Sequence, residues 1–175
     1  MLLTETDLVG SFLIDIEKNE DERGFFARSW CRREFQAHGL DDSLVQCNIS
    51  YNRSKGTLRG MHWAAPKGEA KLVRCTAGAI HDVIIDLRKD SRTYARHFGV
   101  ELSARNHRML FVPDGFAHGF LTLTDDVEVT YQMSDYYEPG NSRGLRWNDP
   151  EFAIRWPSAP TTLSERDASY PDFRP

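Results

Sequence analysis

A chain of 175 residues with a net charge of −4 is long enough for one sizeable core, and no Pro/Gly/Ser-rich linker or internal repeat divides it. No apolar run nears the roughly 20 residues of a membrane span, the N-terminus MLLTETDLVG lacks the charged and apolar regions of a signal peptide, and the acidic balance disfavours nonspecific nucleic-acid binding while leaving room for a local cationic pocket. Three cysteines, Cys31, Cys47 and Cys75, form no CxxC pair, which argues against a disulfide framework or a structural zinc site and predicts reduced thiols in a single-domain, cytoplasmic protein.

The first predicted element is a short helix through CRREFQAH, capped by Ser29 and ended by Gly39. Segments rich in β-branched and aromatic residues follow, with turn residues between them. They predict strands near Val45 to Ile49, Thr57 to Trp63, Ala70 to Thr76 and Ala79 to Leu87. Further strands fall near Phe98 to Leu102, Met109 to Val112, Ala117 to Thr124 and Val127 to Met133. A second short helix, SERDAS, has Ser164 as its cap. About eight strands joined by tight turns and flanked by short peripheral helices suit an all-β jelly roll, whose interior can hold a ligand between two sheets.

Polar side chains pointing into such an interior need a reason. Between Lys55 and Arg88, histidine, cations and glycines interrupt strand-like sequence, and Arg59, His62 and Lys71 suggest an acid/base group beside an anion clamp. PDGFAHGF places His118 in a similar setting. In a regular strand LRGMHW, Leu58, Gly60 and His62 share one face while Arg59, Met61 and Trp63 take the other. A pocket shared by Arg59 and His62 therefore requires a bulge or sharp twist, which Gly60 makes plausible. Taken alone, His62 is more often a structural histidine, Tyr131 a core tyrosine with a satisfied hydroxyl, and Asp167 an exposed carboxylate at a helix start. Docked against His62, Asp167 would favour the charged imidazole and raise its basicity.

The metal-binding cupin pattern needs HxH, then Glu, then PxGxxH. Here PDGFAH ends at His118 and Glu69 is present, but Ala64 stands where the second histidine belongs. A degenerate metal site of His62, Glu69 and His118 stays open, although the pattern points more to metal-free chemistry.

Taken together, DERGFF, QCNIS, GTLRGMHW, EAKLVRCTAGAIHDVIIDLR, VPDGFAHGF, TYQMSDYYEP, LRWNDPEFAIRWP and LSERD resemble the dTDP-4-dehydrorhamnose 3,5-epimerase family from about Asp21 to Asp167. The resemblance implies a cupin jelly roll, usually a homodimer, acting without metal or organic cofactor on a nucleotide-linked 4-keto-6-deoxyhexose. It implies His62 as base, Asp167 as its partner, Lys71 as the cation facing an enolate oxygen and Tyr131 as acid. It also implies a substrate-binding set of Arg23, Arg28, Gln46, Asn48, Arg59 and His118, with Tyr137 stacking on the nucleotide base.

Three positions depart from that family's pattern. Arg28 stands where a glutamate usually accepts the thymine N3 hydrogen, so a CDP-linked sugar, whose cytosine N3 is an acceptor, becomes an alternative to a dTDP-linked one. Cys47 and Glu69 replace an acidic residue and a glutamine. The expected activity is epimerisation at C3, C5 or both, most simply of dTDP-4-dehydro-6-deoxyglucose; the rival of another class is a non-catalytic sugar-binding cupin.

Overall fold

The computed structural model describes residues 1–174. In chain order these form β1 (Leu2–Glu5), β2 (Phe12–Asp15), β3 (Asn19–Asp21), β4 (Gly24–Phe26), helix α1 (Arg32–Ala37), β5 (Gln46–Asn52) and β6 (Leu58–Ala64). The chain continues through β7 (Lys71–Ala77), β8 (Ala79–Asp86), β9 (His97–Ser103), β10 (Met109–Val112), β11 (Phe116–Thr122), β12 (Val127–Met133), β13 (Ser142–Gly144) and helix α2 (Glu165–Ala168). One sheet has the order β1-β2-β10-β7-β12-β5, the other β13-β6-β11-β8-β9, and β3 and β4 pair as a separate hairpin. All these pairings are antiparallel.

Alternation along the strands builds three apolar layers. Between the sheets, Val73, Cys75, Leu110, Val112, Val127 and Val129 of one sheet meet Ile80, Ile84, Leu102, Phe116 and Phe120 of the other. Residues of opposite parity face outward and are covered in turn. Leu72, Met109 and Phe111 pack under Phe35 of α1, while Met61, Val83, Ile85 and Ala117 lie beneath Leu145, Phe152 and the flanking Trp156 and Phe173. Burying one such large side chain contributes about 1.5–3 kcal/mol, so each layer adds substantially to a net stability of only about 5–15 kcal/mol.

All eight expected strands are present, two of them with the expected bounds, Met109–Val112 and Val127–Met133. The first helix differs from expectation at its start: Cys31, not Ser29, occupies the cap position and makes no side-chain cap bond. Its termination follows the reading, with Gly39 at φ +67° just past the end. Ser164 caps α2 as expected, its hydroxyl accepting from the Asp167 N–H at 3.1 Å. Among the described residues no helix is long and apolar enough to cross a membrane.

Candidate active site

Toward one end of the sandwich the interior changes from apolar to polar along the same strands. Inward positions run Cys75, Val73, Lys71 on β7 and Val129, Tyr131 on β12, and β11 places His118 between Phe116 and Phe120. There the sheets enclose a cavity of about 570 Å³ lined by, among others, Asn48, Arg59, His62, Lys71, His118, Tyr131, Tyr137 and Asp167. This volume lies within the ordinary range for small-molecule sites.

The parity conflict between Arg59 and His62 is resolved within β6. His62 lies opposite His118 and Arg59 opposite Phe120, so three steps along β6 match two along β11. The extra residue is accommodated at Gly60, which has φ +119°. A Cβ at Gly60 would sit 2.6 Å from Gly119 Cα and 2.8 Å from the His118 carbonyl oxygen, so close backbone approach also demands glycine. Arg59 and His62 thus both reach the cavity, while Met61 points away into the outer core.

Two histidine–carboxylate pairs stand in this region. His62 Nε2 lies 2.6 Å from Asp167 Oδ1, and Asp167 Oδ2 accepts from the Gly60 N–H at 3.2 Å. Burial works to raise the Asp167 carboxyl, but its bonds with His62, Gly60 and Ser164 outweigh that and hold it below the usual carboxylate range. An ionised Asp167 makes His62 Nε2 the donor, which leaves Nδ1 as the basic nitrogen of a neutral ring. In the second pair, His118 Nε2 lies 2.7 Å from Asp82 Oδ1, both side chains being buried. Among the described residues Asp82 Oδ2 has no hydrogen-bond partner.

Tyr131 packs edge-on to His118, with ring centroids 6.0 Å apart. Burial, reinforced by the Asp82 carboxylate and only partly offset by Arg59, pushes its hydroxyl far above the ordinary tyrosine value. The hydroxyl therefore stays protonated at neutral pH. Lys71 Nζ lies 3.0 Å from Glu69 Oε1, with both side chains largely buried. Arg59 is aimed by its Nε–H donating to Asn52 Oδ1 at 2.7 Å. Gln46 Oε1 accepts from the Tyr137 N–H at 3.2 Å and its amide donates to Asn48 at 3.1 Å, so Gln46 positions two cavity residues from outside the lining.

Arg23 and Arg28 are not among the residues lining this cavity. Arg23 is exposed beside the β3–β4 turn and bound to Asp21. Arg28 donates to Glu34 at 2.6 Å and is likewise exposed. The guanidinium expected to contact a base is thus engaged by a helix carboxylate. Among the described residues no group of three or more His, Cys, Asp or Glu side chains is placed to hold a metal ion, so His62, Glu69 and His118 do not form the degenerate site left open by the sequence. Asp82 was missed by sequence reasoning, although one carboxylate inside the apolar run AIHDVIID marks an interior position that needs a partner.

The model of the dTDP-4-dehydrorhamnose 3,5-epimerase family matches residues 5–175. A dTDP-4-dehydrorhamnose 3,5-epimerase from Methanothermobacter thermautotrophicus is 41% identical over 97% of this chain and 93% of its own length. The crystal structure of the Bacillus anthracis dTDP-4-dehydrorhamnose 3,5-epimerase with TDP and PPi bound superposes with a TM-score of 0.93 at 42% identity, covering 98% of this chain and 99% of that one. The Legionella pneumophila dTDP-6-deoxy-D-glucose-3,5-epimerase in complex with dTDP-4-keto-L-rhamnose gives a TM-score of 0.89 at 36% identity, covering 95% and 89%. With matches of this extent in sequence and in its cupin-type jelly roll, the chain belongs to the dTDP-4-dehydrorhamnose 3,5-epimerase family.

Proposed function

We propose that this protein is an isomerase that epimerises a dTDP-linked 4-keto-6-deoxyhexose at C3 and C5, with dTDP-4-dehydro-6-deoxyglucose as substrate. The observation that carries the mechanism is that the base and the acid project from opposite sheets: His62 from β6 in one, Tyr131 from β12 in the other, both onto one cavity. A carbonyl at C4 acidifies the hydrogens on C3 and C5. His62 Nδ1 takes one of them, the C–H electron pair shifts to the carbonyl oxygen as an enolate, and Tyr131 returns a proton to the opposite face as the ketone reforms. The imidazolium then loses its proton and Tyr131 regains one, both by exchange with water. Asp167 holds the imidazole in one tautomer and stabilises its cation. Lys71 supplies positive charge to the enolate oxygen, where charge develops in the transition state. The rest of the cavity binds: Arg59 and His118 toward the phosphates or sugar, Tyr137 with Asn48 toward the nucleoside.

Thymidine is favoured over cytidine because Arg28 lies outside the cavity lining, its guanidinium bonded to Glu34. The assembly proposed is a homodimer. Edge strand β5 exposes Ile49 and Tyr51, and Phe25 and Phe26 are exposed on the hairpin. Pairing of two copies also gives exposed Arg23 a route to a phosphate that its own cavity does not offer. Three free thiols suit a reducing cytoplasm.

The test is incubation with dTDP-4-dehydro-6-deoxyglucose in deuterated water. Deuterium at both C3 and C5 of an inverted product is expected. Inversion confined to one carbon would restrict the reading to a single-centre epimerase, and binding without any exchange would replace it with the non-catalytic cupin.

A further inference from the structure

The imidazole of His62 is touched from a second side by a residue the mechanism does not use. Tyr170, just past α2, packs against it with ring centroids 6.2 Å apart and planes at 73°. Three features hold the tyrosine there. On β13, Gly144 lies directly opposite His62 in the strand register, and a Cβ at Gly144 would lie 2.1 Å from Tyr170 Cζ and 2.2 Å from its Cε2. The aromatic ring therefore rests on bare backbone beside the histidine. Arg166 Nε donates to the Tyr170 hydroxyl at 2.6 Å, and Arg166 Nη2 donates to Ser142 Oγ at 2.7 Å. The Arg166 guanidinium also stands 5.8 Å from the Tyr170 ring centroid. Ser142 is itself on β13, so the same guanidinium ties the C-terminal segment to the strand beside β6.

We propose that Tyr170 is a positioning residue for the catalytic base, and that Gly144 and Arg166 exist in this arrangement to seat it. This inference rests on His62 being that base. Asp167 holds Nε2 by one hydrogen bond, which still lets the His62 side-chain torsions shift together and tilt the ring. The Tyr170 ring removes that freedom by occupying the space into which the imidazole would swing. A base must be held in near-attack geometry before it can act, and a displacement of about 1 Å can cost about 100-fold in rate. Because Tyr170 does not line the cavity, its removal acts on turnover and not on substrate binding.

Steady-state kinetics of Tyr170→Ala, Tyr170→Phe and Gly144→Ala on dTDP-4-dehydro-6-deoxyglucose test this, with His62→Asn in parallel and thermal unfolding recorded for each. Tyr170→Ala is expected to lower kcat about 10- to 100-fold with KM within about twofold of wild type. Tyr170→Phe keeps the packing ring and should recover kcat to within about threefold of wild type. Gly144→Ala leaves the tyrosine's chemistry intact but puts a methyl group where its ring sits, and should reproduce the kcat loss of Tyr170→Ala. A folded Tyr170→Ala or Gly144→Ala protein with kcat within twofold of wild type would overturn the proposal, as would a loss that appears only in KM. Should Tyr170→Ala fail to fold, Gly144→Ala and Tyr170→Phe decide alone: equal loss in both contradicts a packing role. Near-normal turnover in His62→Asn would instead overturn the assignment of the base, which separates the two failures.

Discussion

The two ends of the sandwich interior are built from the same strands and differ only in which side chains those strands turn inward. At one end Val73, Cys75, Val127 and Val129 interlock with Ile80, Ile84 and Leu102. At the other, inward positions of the same two strands, β7 and β12, are Lys71 and Tyr131, and β11 adds His118 within its own apolar run. The apolar end holds the sheets at a fixed separation, and the polar end uses that separation to set a base and an acid on facing walls. Two inward carboxylates of β8 differ in how far they are satisfied. Asp86 is saturated, accepting from Arg88 Nε at 2.8 Å, Ser91 Oγ at 2.6 Å and Thr93 Oγ1 at 2.7 Å. Asp82 has one oxygen on His118 and one unpartnered.

Removing a charge from the polar end should damage activity and leave the fold intact. Lys71→Met is expected to lower kcat by about 100- to 1000-fold, since a donor aimed at the developing oxyanion is lost, with little change in the thermal midpoint. A comparable fall in both would place Lys71 among the structural groups.

Gly60→Ala strikes the joint between the two ends. The positive φ costs about 1–3 kcal/mol for a residue with a side chain, and the added Cβ meets the backbone of β11. Stability measured by denaturant should fall by at least that amount, and residual folded protein should turn over slowly because Arg59 and His62 no longer share the cavity. Wild-type stability in this variant would remove the bulge from the account.

Outside the cavity lining, Asp86 gives the fold an acid response. Burial opposes ionisation, but the bonds from Arg88, Ser91 and Thr93 prevail and hold the carboxyl at about 2. The folded protein thus binds this proton more weakly than the unfolded chain does. Stability from this group is complete above about pH 4 and drains away as the pH falls toward 2, on the order of 2 kcal/mol in all. In Asp86→Asn, stability should be lower at neutral pH and its acid dependence between these limits shallower. An unchanged acid limb would assign acid unfolding to other carboxylates.

The smallest effect belongs to Arg28→Glu. The ion pair with Glu34 is exposed and worth at most about 1 kcal/mol, and calorimetry should show dTDP preferred over CDP before and after the substitution. A preference that switches with the substitution would bring Arg28 back to the nucleotide.

Much of this organisation was legible in the sequence. The strands that line the cavity alternate strongly, and Gly60 marked the place where Arg59 and His62 could be brought to one side. Ser164 announced α2 and with it the position of Asp167. What was not legible had no period to read. β1, β2, β3, β4 and β13 are three or four residues long and take their place only by pairing with distant strands. Leu145, Phe152, Trp156 and Phe173 cover the outer sheet face from irregular segments, so nothing in their spacing announces burial. Tyr170 was invisible for the same reason, since its contact with His62 depends on Gly144 coming into register across β13 and β6.

The central claim, that base and acid act from opposite sheets, is tested most directly by comparing His62→Asn with Tyr131→Phe for solvent deuterium exchange and inversion on the same dTDP-4-keto-6-deoxy sugar. The mechanism predicts that His62→Asn abolishes both, since no proton leaves the carbon. In Tyr131→Phe exchange should continue on the base side while inversion falls. Near-normal exchange in His62→Asn, or equal loss of exchange and inversion in Tyr131→Phe, would contradict it.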